Sequence, residues 1–201
     1  MKTRHPSGLV LFAFVVLAAC GGGPTITAKQ LPTIMPSPPR DTPGGTTYQS
    51  QLSGPKTLEE FVSAADVRQK LRDLGFKVAS IATFTTPNFP AELSTAPPGT
   101  MLYGAFGVLL RDGKAAEQGL EFYRARASSR AKNPTPVLTN ELGKDSFAFR
   151  FSSLEDTPLP GIVYFWRVGN ALFEVVGVGN PGPDPEAVRT LARNTYARAR
   201  S

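Results

Sequence analysis

The sequence predicts an α+β domain over residues 56–201, with helices packed on an antiparallel sheet in the order α-β-β-α-β-β-β-α. Two observations lead to this fold class. Stretches with apolar residues at helical spacing are separated by runs rich in β-branched and aromatic residues. The clearest pair of runs is joined by the two-residue turn Gly169-Asn170. A connection this short forms a hairpin of antiparallel strands, because parallel strands need a long crossover. This combination favours helices on an antiparallel sheet.

The first predicted elements are a helix and two strands. Thr57-Leu58-Glu59-Glu60 is a capping box that begins the helix, and Gly75 ends it. Strands are predicted over Phe76–Phe84 and Met101–Leu110, and four prolines make residues 85–100 a loop. The helix carries its apolar residues at helical spacing: Phe61, Ala64, Val67, Leu71 and Leu74.

The second predicted helix begins after Asp112, which can cap its N-terminus. Its apolar residues recur at i, i+4, i+7 and i+11, which gives one buried face. They are Ala116, Leu120, Tyr123 and Ala127. Phe147, Phe149 and Phe151 then alternate with Ala148 and Arg150, so one face of the next strand is entirely phenylalanine.

The hairpin and the last helix complete the predicted domain. Ile162–Val168 and Ala171–Val178 flank the Gly169-Asn170 turn. With Val168 opposite Ala171, one hairpin face is predicted to be core and the other is mixed. The core face carries Ile162, Tyr164, Trp166, Val168, Ala171, Phe173 and Val175. Asp184, followed by Pro185 at the first helical position, begins the last helix.

The N-terminus has the features of an export signal. Lys2 and Arg4 precede the uncharged apolar run Leu9–Ala19, which is shorter than the ~20 residues that span a bilayer. The run ends in Leu17-Ala18-Ala19-Cys20, which resembles the lipobox of bacterial lipoprotein precursors. The resemblance implies that residues 1–19 are a signal peptide and that the Cys20 thiol takes a diacylglycerol. Cys20 is the only cysteine in the chain, so lipidation leaves no reactive thiol.

The lipobox resemblance also implies a location. The mature protein would be extracytoplasmic and anchored by lipid to the cell membrane. In a two-membrane bacterium the outer membrane is favoured, because Gly21 replaces the aspartate associated with inner-membrane retention. Residues 20–55 are predicted to be the lipidated cysteine and a disordered tether rich in Pro, Gly and Thr that carries the domain away from the membrane.

A second resemblance covers the C-terminal part of the chain. This part resembles an uncharacterised α+β domain of bacterial lipoproteins. The resemblance consists of Gly143-Lys144-Asp145-Ser146-Phe147, the hairpin Arg167-Val168-Gly169-Asn170 and a closing helix. The shared residues are mainly turn and core signals. The resemblance therefore implies a fold family and no activity.

The composition restricts the available chemistry. The single histidine, His5, lies in the predicted signal peptide, so the mature chain has neither imidazole nor a free thiol. An imidazole or a thiol is required for several kinds of chemistry: Ser-His-Asp and Cys-His catalysis, zinc sites built from His and Cys, haem ligation by histidine, and dithiol exchange. We therefore predict a protein that is not an enzyme and has no cofactor and no metal. An enzyme that uses carboxylates or a Ser–Lys pair is the alternative.

Arg189, Arg193 and Arg200 are the candidate site residues, because the last helix places them near one another on its exposed side. They could bind an anion or a partner, or they could be solvated arginines that complement the helix dipole. The net charge of +6 includes no basic cluster interleaved with aromatic residues, so nucleic acid is not an expected partner.

These observations predict a non-catalytic binding or scaffolding domain in the cell envelope. Its expected partners are the membrane, through the lipid anchor, and an envelope protein or polymer. A carrier with a small-ligand pocket between the sheet and the helices is a further alternative.

Overall fold

The computed structural model describes residues 24–90, 92–154 and 157–201. It is an α+β fold with a large antiparallel sheet, as the sequence predicts. The helices of the described residues are α1 (Leu31–Ile34), α2 (Leu58–Phe61), α3 (Ala65–Asp73), α4 (Gly113–Arg130) and α5 (Pro185–Arg200). The strands are β1 (Thr47–Tyr48), β2 (Gly54–Lys56), β3 (Val78–Thr85), β4 (Met101–Leu109), β5 (Ala131–Lys132), β6 (Thr135–Pro136), β7 (Ser146–Phe151), β8 (Ser153–Leu154), β9 (Gly161–Val168) and β10 (Ala171–Gly179).

The main sheet has the strand order β1-β3-β4-β10-β9-β7-β6, and β2 also pairs with β3. All of these pairings are antiparallel. The hairpin between β9 and β10 has the predicted register, with Val168 opposite Ala171. Gly169 takes a φ of 54° in the turn, a value that glycine adopts without steric cost. The turn therefore lies at one end of the sheet, between its two central strands.

Both faces of the sheet are covered by helices. Trp166 and Phe173 lie on the face covered by α1 and α5. Phe165 and Leu172 lie on the opposite face, under α3 and α4. That second face was predicted to be mixed, and packing of α4 explains why it is buried. A Cβ at Gly119 of α4 would come within 2.5 Å of the Leu172 side chain, so glycine permits the close approach of helix and sheet.

The predicted helix starts are confirmed by their capping bonds. The Thr57 N–H donates to Glu60 at 2.8 Å and the Thr57 hydroxyl accepts from the Glu60 N–H, which completes the capping box. Asp112 accepts from the Ala115 N–H at 2.8 Å. The first helix, however, is divided into α2 and α3. The β-branched Val62 is extended at the break, with a φ of −133°.

The prediction of a disordered tether is wrong for residues 24–55. Leu31 and Ile34 of α1 are buried in the core, and β1 and β2 join the sheet. Proline content had suggested a segment that could not pack. Pro32 instead occupies the first turn of α1, where no backbone donor is required. Pro55 lies in β2, which pairs along one side with β3, and prolines are tolerated at such edges.

The signal peptide assigned to residues 1–19 and the lipidation site Cys20 lie outside the described residues. No helix within the described ranges has both the length and the apolar character needed to cross a membrane.

Candidate functional site

A cleft of about 410 Å³ lies between α5, the sheet and the loop of residues 137–142. We call it the α5 cleft. Its lining combines apolar side chains with charged groups of both signs. The residues are Val137, Leu138, Thr139, Asn140, Glu141, Leu142, Arg150, Tyr164, Pro185, Glu186, Arg189 and Ala192.

Tyr164 is the buried polar residue of the α5 cleft. It lies on β9, on the face that α5 covers, and only 4% of the residue is exposed. Burial raises the pKa of its hydroxyl, so the group stays protonated at neutral pH and is able to donate. Within the described residues this hydroxyl has no hydrogen-bond partner, although it lines the cleft. The hydroxyl oxygen is not among the fully buried polar atoms that lack a partner, so it reaches the cleft and can donate to water or to a ligand there.

Arg189 is held between two carboxylates at the side of the cleft. It forms a two-point ion pair with Glu141, in which Nε lies 3.4 Å from Oε2. Its Nη1 lies 3.6 Å from Oε2 of Glu186, one helical turn earlier. The hydrogen bond from Arg189 lowers the pKa of Glu141, and the charges of Arg189 and Arg193 lower it further. Glu141 is therefore ionised at neutral pH and positioned by the arginine.

Arg150 differs from Arg189 because it has no carboxylate within ion-pair distance among the described residues. It lies on β7, opposite Ile162 of β9, and its side chain contributes to the cleft wall. The residue is exposed, so its guanidinium is free to meet a ligand from solvent. Guanidinium groups bind carboxylates and phosphates through two parallel hydrogen bonds. The cleft thus presents a cation without an ion-pair partner beside a tyrosine hydroxyl that reaches the cleft.

The carboxylates of the cleft are poorly suited to acid–base catalysis. A general acid that works near neutral pH needs a raised pKa, and Arg189 has the opposite effect on Glu141. Both Glu141 and Glu186 are exposed on the side chain and face Arg189. This arrangement can bind and orient a polar ligand.

The three predicted arginines are distributed along α5. Arg189 lines the cleft, and Arg193 on the next turn is close enough to Glu141 to affect its pKa. Arg200 lies near the C-terminus of α5, where it donates to the Tyr196 hydroxyl at 3.0 Å and lies over the Tyr196 ring. The structure therefore brings Arg189 and Arg193 together beside Glu141, with Arg200 further along the helix.

Arg150 and Tyr164 were not predicted as site residues. The alternation in β7 places Arg150 on the same sheet face as Ala148, and the hairpin pattern places Tyr164 on the core face. For Arg150 the available signal was a charged side chain on the face of β7 opposite the phenylalanines. Glu141 gave no such signal, because it belongs to a 3-10 turn in a loop.

A second concavity lies on the opposite face of the sheet, between α3 and α4. We call it the aromatic groove. It encloses about 300 Å³ and includes Phe61, Phe106, Tyr123 and Phe165. Tyr123 stacks on Phe165 with ring centroids 5.7 Å apart. The groove also contains Arg126, whose side chain is 9% exposed and forms an ion pair with Asp66 of α3.

Neither concavity offers an evident metal centre. Across the residues that the structure describes, no group of three or more His, Cys, Asp or Glu side chains could hold a metal ion.

No protein-family model matches this chain, and no curated protein matches it. A solved structure does: the extracellular domain of PknH from Mycobacterium tuberculosis. The two share 10% sequence identity with a TM-score of 0.51, and the match covers 89% of this chain and 98% of the PknH domain. The chain is similar to that domain in fold. At this level of identity the similarity does not extend to individual site residues.

Proposed function

We propose that this chain is a lipid-anchored, extracytoplasmic binding domain that holds a small anionic ligand in the α5 cleft without transforming it. The observation that carries the proposal is the hydroxyl of Tyr164, which has no hydrogen-bond partner among the described residues and reaches a cleft shared with Arg150. Its location is supported by the resemblance of residues 17–20 to a lipobox and by a fold similar to that of an extracellular domain.

An anionic group on the ligand would complete both unfilled interactions. An acceptor atom of the ligand would replace water at the Tyr164 hydroxyl, and a hydrogen bond of this kind contributes roughly 0.5–1.5 kcal/mol. The same acceptor would meet the Arg150 guanidinium, and charge-assisted bonds are about twice as strong as neutral ones. Glu141 and Glu186 hold Arg189 in place and exclude anions from their own side of the cleft. A carboxylate and a phosphate both satisfy this description.

Binding without catalysis is proposed from the protonation states. Tyr164 remains a protonated donor because burial raises its pKa, and Glu141 remains ionised because Arg189 lowers its pKa. Neither group exchanges a proton near neutral pH, which a catalytic acid or base must do. The absence of histidine after residue 5 removes the side chain most often used for that exchange.

The binding test uses the chain from residue 20 onward with Cys20→Ala, which contains every described residue. Titration with citrate and with glycerol 3-phosphate, followed by NMR, separates carboxylate from phosphate recognition. Saturable shifts should centre on Tyr164. Tyr164→Phe and Arg150→Gln should each weaken binding by about tenfold or more, because each removes a donor from a charge-assisted site.

The matched controls are Tyr48→Phe and Arg72→Gln, because neither residue lines the α5 cleft. Tyr48→Phe keeps the ring that packs on Phe84, and Arg72 is an exposed residue that pairs with Glu59. Both controls should bind like the parent chain. If neither probe binds saturably, or if Tyr164→Phe and Arg150→Gln bind as tightly as the controls, the α5 cleft is not the ligand site.

The anchor is tested separately by labelling cells with a radioactive fatty acid. The wild-type chain should incorporate the label, and Cys20→Ala should not. Incorporation by the variant would contradict the assignment of Cys20.

The aromatic groove supports a second candidate function, a carrier for an apolar ligand. Phe106 is only partly buried there and lies 6.3 Å from the Phe61 ring, so an apolar surface remains accessible. The neutral dye N-phenyl-1-naphthylamine would report such a site by fluorescence. For a carrier, Phe106→Ala should abolish dye binding while Arg150→Gln leaves it intact. The anionic-ligand proposal predicts the reverse dependence for citrate or glycerol 3-phosphate.

A further inference from the structure

The N-terminal segment is fixed to the sheet at the β9–β10 turn. The Ile26 N–H donates to Oδ1 of Asn170 at 2.8 Å, and Nδ2 of Asn170 donates to the Ile26 carbonyl at 3.1 Å. Ile26 and Asn170 are both buried. The chain therefore meets the folded domain at one defined end of the sheet, the end that carries the Gly169-Asn170 turn.

This connection limits how far the domain can lie from its anchor. Six peptide links separate Cys20 from Ile26, and a fully extended chain of that length spans at most about 22 Å. A lipid at Cys20 would consequently hold the turn end of the sheet near the membrane. The opposite end would be directed away from it. The long tether predicted from the sequence would have allowed any orientation.

Several basic residues surround the same end. Leu110 donates to the Asn170 carbonyl at 3.0 Å, which brings the end of β4 and the start of α4 to the turn. Lys114 lies in the first turn of α4, and Lys77 donates to the Arg111 carbonyl at 3.3 Å. Lys29 follows Ile26 in the N-terminal segment.

The β7 side of this end is basic as well. Arg167 of β9 bonds through its N–H to the Asp145 carbonyl at 3.1 Å, so the neighbouring Lys144 is at the turn end. A Cβ at Gly143 would lie 2.7 Å from the Tyr196 hydroxyl, and Arg200 bonds that hydroxyl. Arg200 therefore belongs to the same basic end.

The acidic residues at this end do not cancel its charge. Asp112 pairs with Arg111 at 3.3 Å, and Asp145 pairs with Arg167 at 2.9 Å. Asp73 and Glu117 are the other acidic side chains near it, and both are exposed. Among the described residues, the remaining cations have no carboxylate within ion-pair distance: Lys29, Lys77, Lys114, Lys144 and Arg200.

We infer that this basic end, the surface around Asn170, rests on the bilayer and binds anionic lipid headgroups. The inference deepens the proposed lipid anchoring at Cys20 and commits to a lipid surface as the partner. Clustered basic residues next to a lipid anchor strengthen attachment to anionic membranes, and each contributes about fivefold to the partition coefficient.

The orientation places the α5 cleft away from the membrane. Arg150 pairs with Ile162, which lies six residues from Val168 along β9. At the rise of an extended strand that separation is about 20 Å. A domain that rests on its turn end thus keeps the Arg150 side of the cleft open to solvent and accessible to a soluble ligand.

Vesicle binding tests the inference without depending on acylation. The chain from residue 20 with Cys20→Ala is mixed with vesicles of phosphatidylcholine alone or with 30% phosphatidylglycerol added, and sedimented. We expect binding to the anionic vesicles that falls as salt is raised, and none to the neutral vesicles. Failure to bind anionic vesicles would overturn the inference and leave the acylation of Cys20 unaffected.

The basic end is tested by two variants with the same change in net charge. The first is a triple variant of the basic end, Lys29→Gln/Lys114→Gln/Lys144→Gln. It should bind anionic vesicles about a hundredfold more weakly, because each lysine contributes about fivefold to the partition coefficient. The control neutralises cations near the opposite end, as Arg40→Gln/Arg130→Gln/Lys132→Gln. It should keep most of the binding. Equal losses in both variants would show attraction by net charge alone and would overturn the assignment to this end.

Orientation is read directly from a fluorophore placed on an introduced cysteine in the same background. A dye at Lys114→Cys should be quenched by vesicles that carry a quencher on the headgroup. The same dye at Lys132→Cys should remain bright. Quenching at Lys132→Cys and not at Lys114→Cys would reverse the orientation and refute the inference.

Discussion

Arg198 in the last helix forms an ion pair with Asp41 in the N-terminal segment, with Nη1 and Oδ2 3.1 Å apart and only 1% of the Asp41 side chain exposed. Arg198 also donates from Nε to the Ile34 carbonyl at 2.8 Å, and Asp41 accepts from the Ser37 N–H at 3.0 Å. The pair therefore joins the N-terminal segment of the chain to its last helix.

Asp41→Ala should lower the free energy of unfolding by about 3 kcal/mol, because it leaves the Arg198 guanidinium partly buried without its carboxylate. Urea denaturation followed by circular dichroism measures the change. Asp73→Ala is the control, since Asp73 is exposed and should shift stability by no more than about 0.5 kcal/mol. Equal effects of the two substitutions would show that the ion pair does not stabilise the fold.

Packing of α1 gives a second prediction. Leu31 is fully buried, and a Cβ at Gly107 of β4 would touch its Cδ1 at 2.9 Å. Leu31→Ala should cost roughly 2–5 kcal/mol through lost burial and the resulting cavity. Leu138→Ala makes the same chemical change at a residue that is 83% exposed and should be nearly neutral. Residues 24–55 should also resist limited proteolysis, and rapid cleavage there would contradict their packing.

The elements that the sequence predicted correctly depend on local signals. The Gly169-Asn170 turn sets the register of β9 and β10, and Asp112 caps α4 through a bond three residues away. The N-terminal segment could not be recognised in that way. Ile26 is fixed by Asn170, which lies 144 residues further along the chain, and its apolar neighbours are interrupted by prolines. Local periodicity carries no information about such a partner.

The candidate site was predicted only in part for the same reason. Helical spacing was sufficient to place Arg189 and Arg193 on one side of α5. The cleft itself depends on the pairing of β7 with β9, which brings Arg150 near Tyr164, and on the turn that carries Glu141. Strand pairing across a long connection and the path of a loop are tertiary features. A single sequence does not encode them in a short pattern.

The Glu141–Arg189 pair should make stability depend on pH. Because the hydrogen bond from Arg189 lowers the pKa of Glu141 in the folded chain, the pair stabilises the fold above the ordinary glutamate pKa. This contribution is lost as the pH falls through the lowered value. Carbon-detected NMR titration should find the Glu141 pKa below that of an exposed glutamate and should find it raised in Arg189→Gln. An unchanged pKa in Arg189→Gln would show that the arginine is not its cause.

The stability of the turn end depends on Asn170. Its side chain supplies both hydrogen bonds to the buried backbone of Ile26, and its own carbonyl accepts from Leu110. Asn170→Ala removes the side-chain bonds and leaves a buried N–H and a buried carbonyl without partners, each of which costs about 1–3 kcal/mol. We expect a loss of about 2 kcal/mol or more in the free energy of unfolding, together with faster amide hydrogen exchange at Ile26.

Gln51→Ala is the matched control for Asn170→Ala. It removes an exposed amide that bonds another side chain at 3.1 Å, and its effect should stay within about 0.5 kcal/mol. Asn170→Ala should also make the segment before α1 sensitive to protease, because nothing else ties Ile26 to the turn by hydrogen bonds within the described residues. If Asn170→Ala is as stable as Gln51→Ala and residues 24–30 remain protected, burial of the Ile26 side chain is what fixes the N-terminal segment. The turn would then still lie near the anchor, and the amide of Asn170 would be dispensable for holding it there.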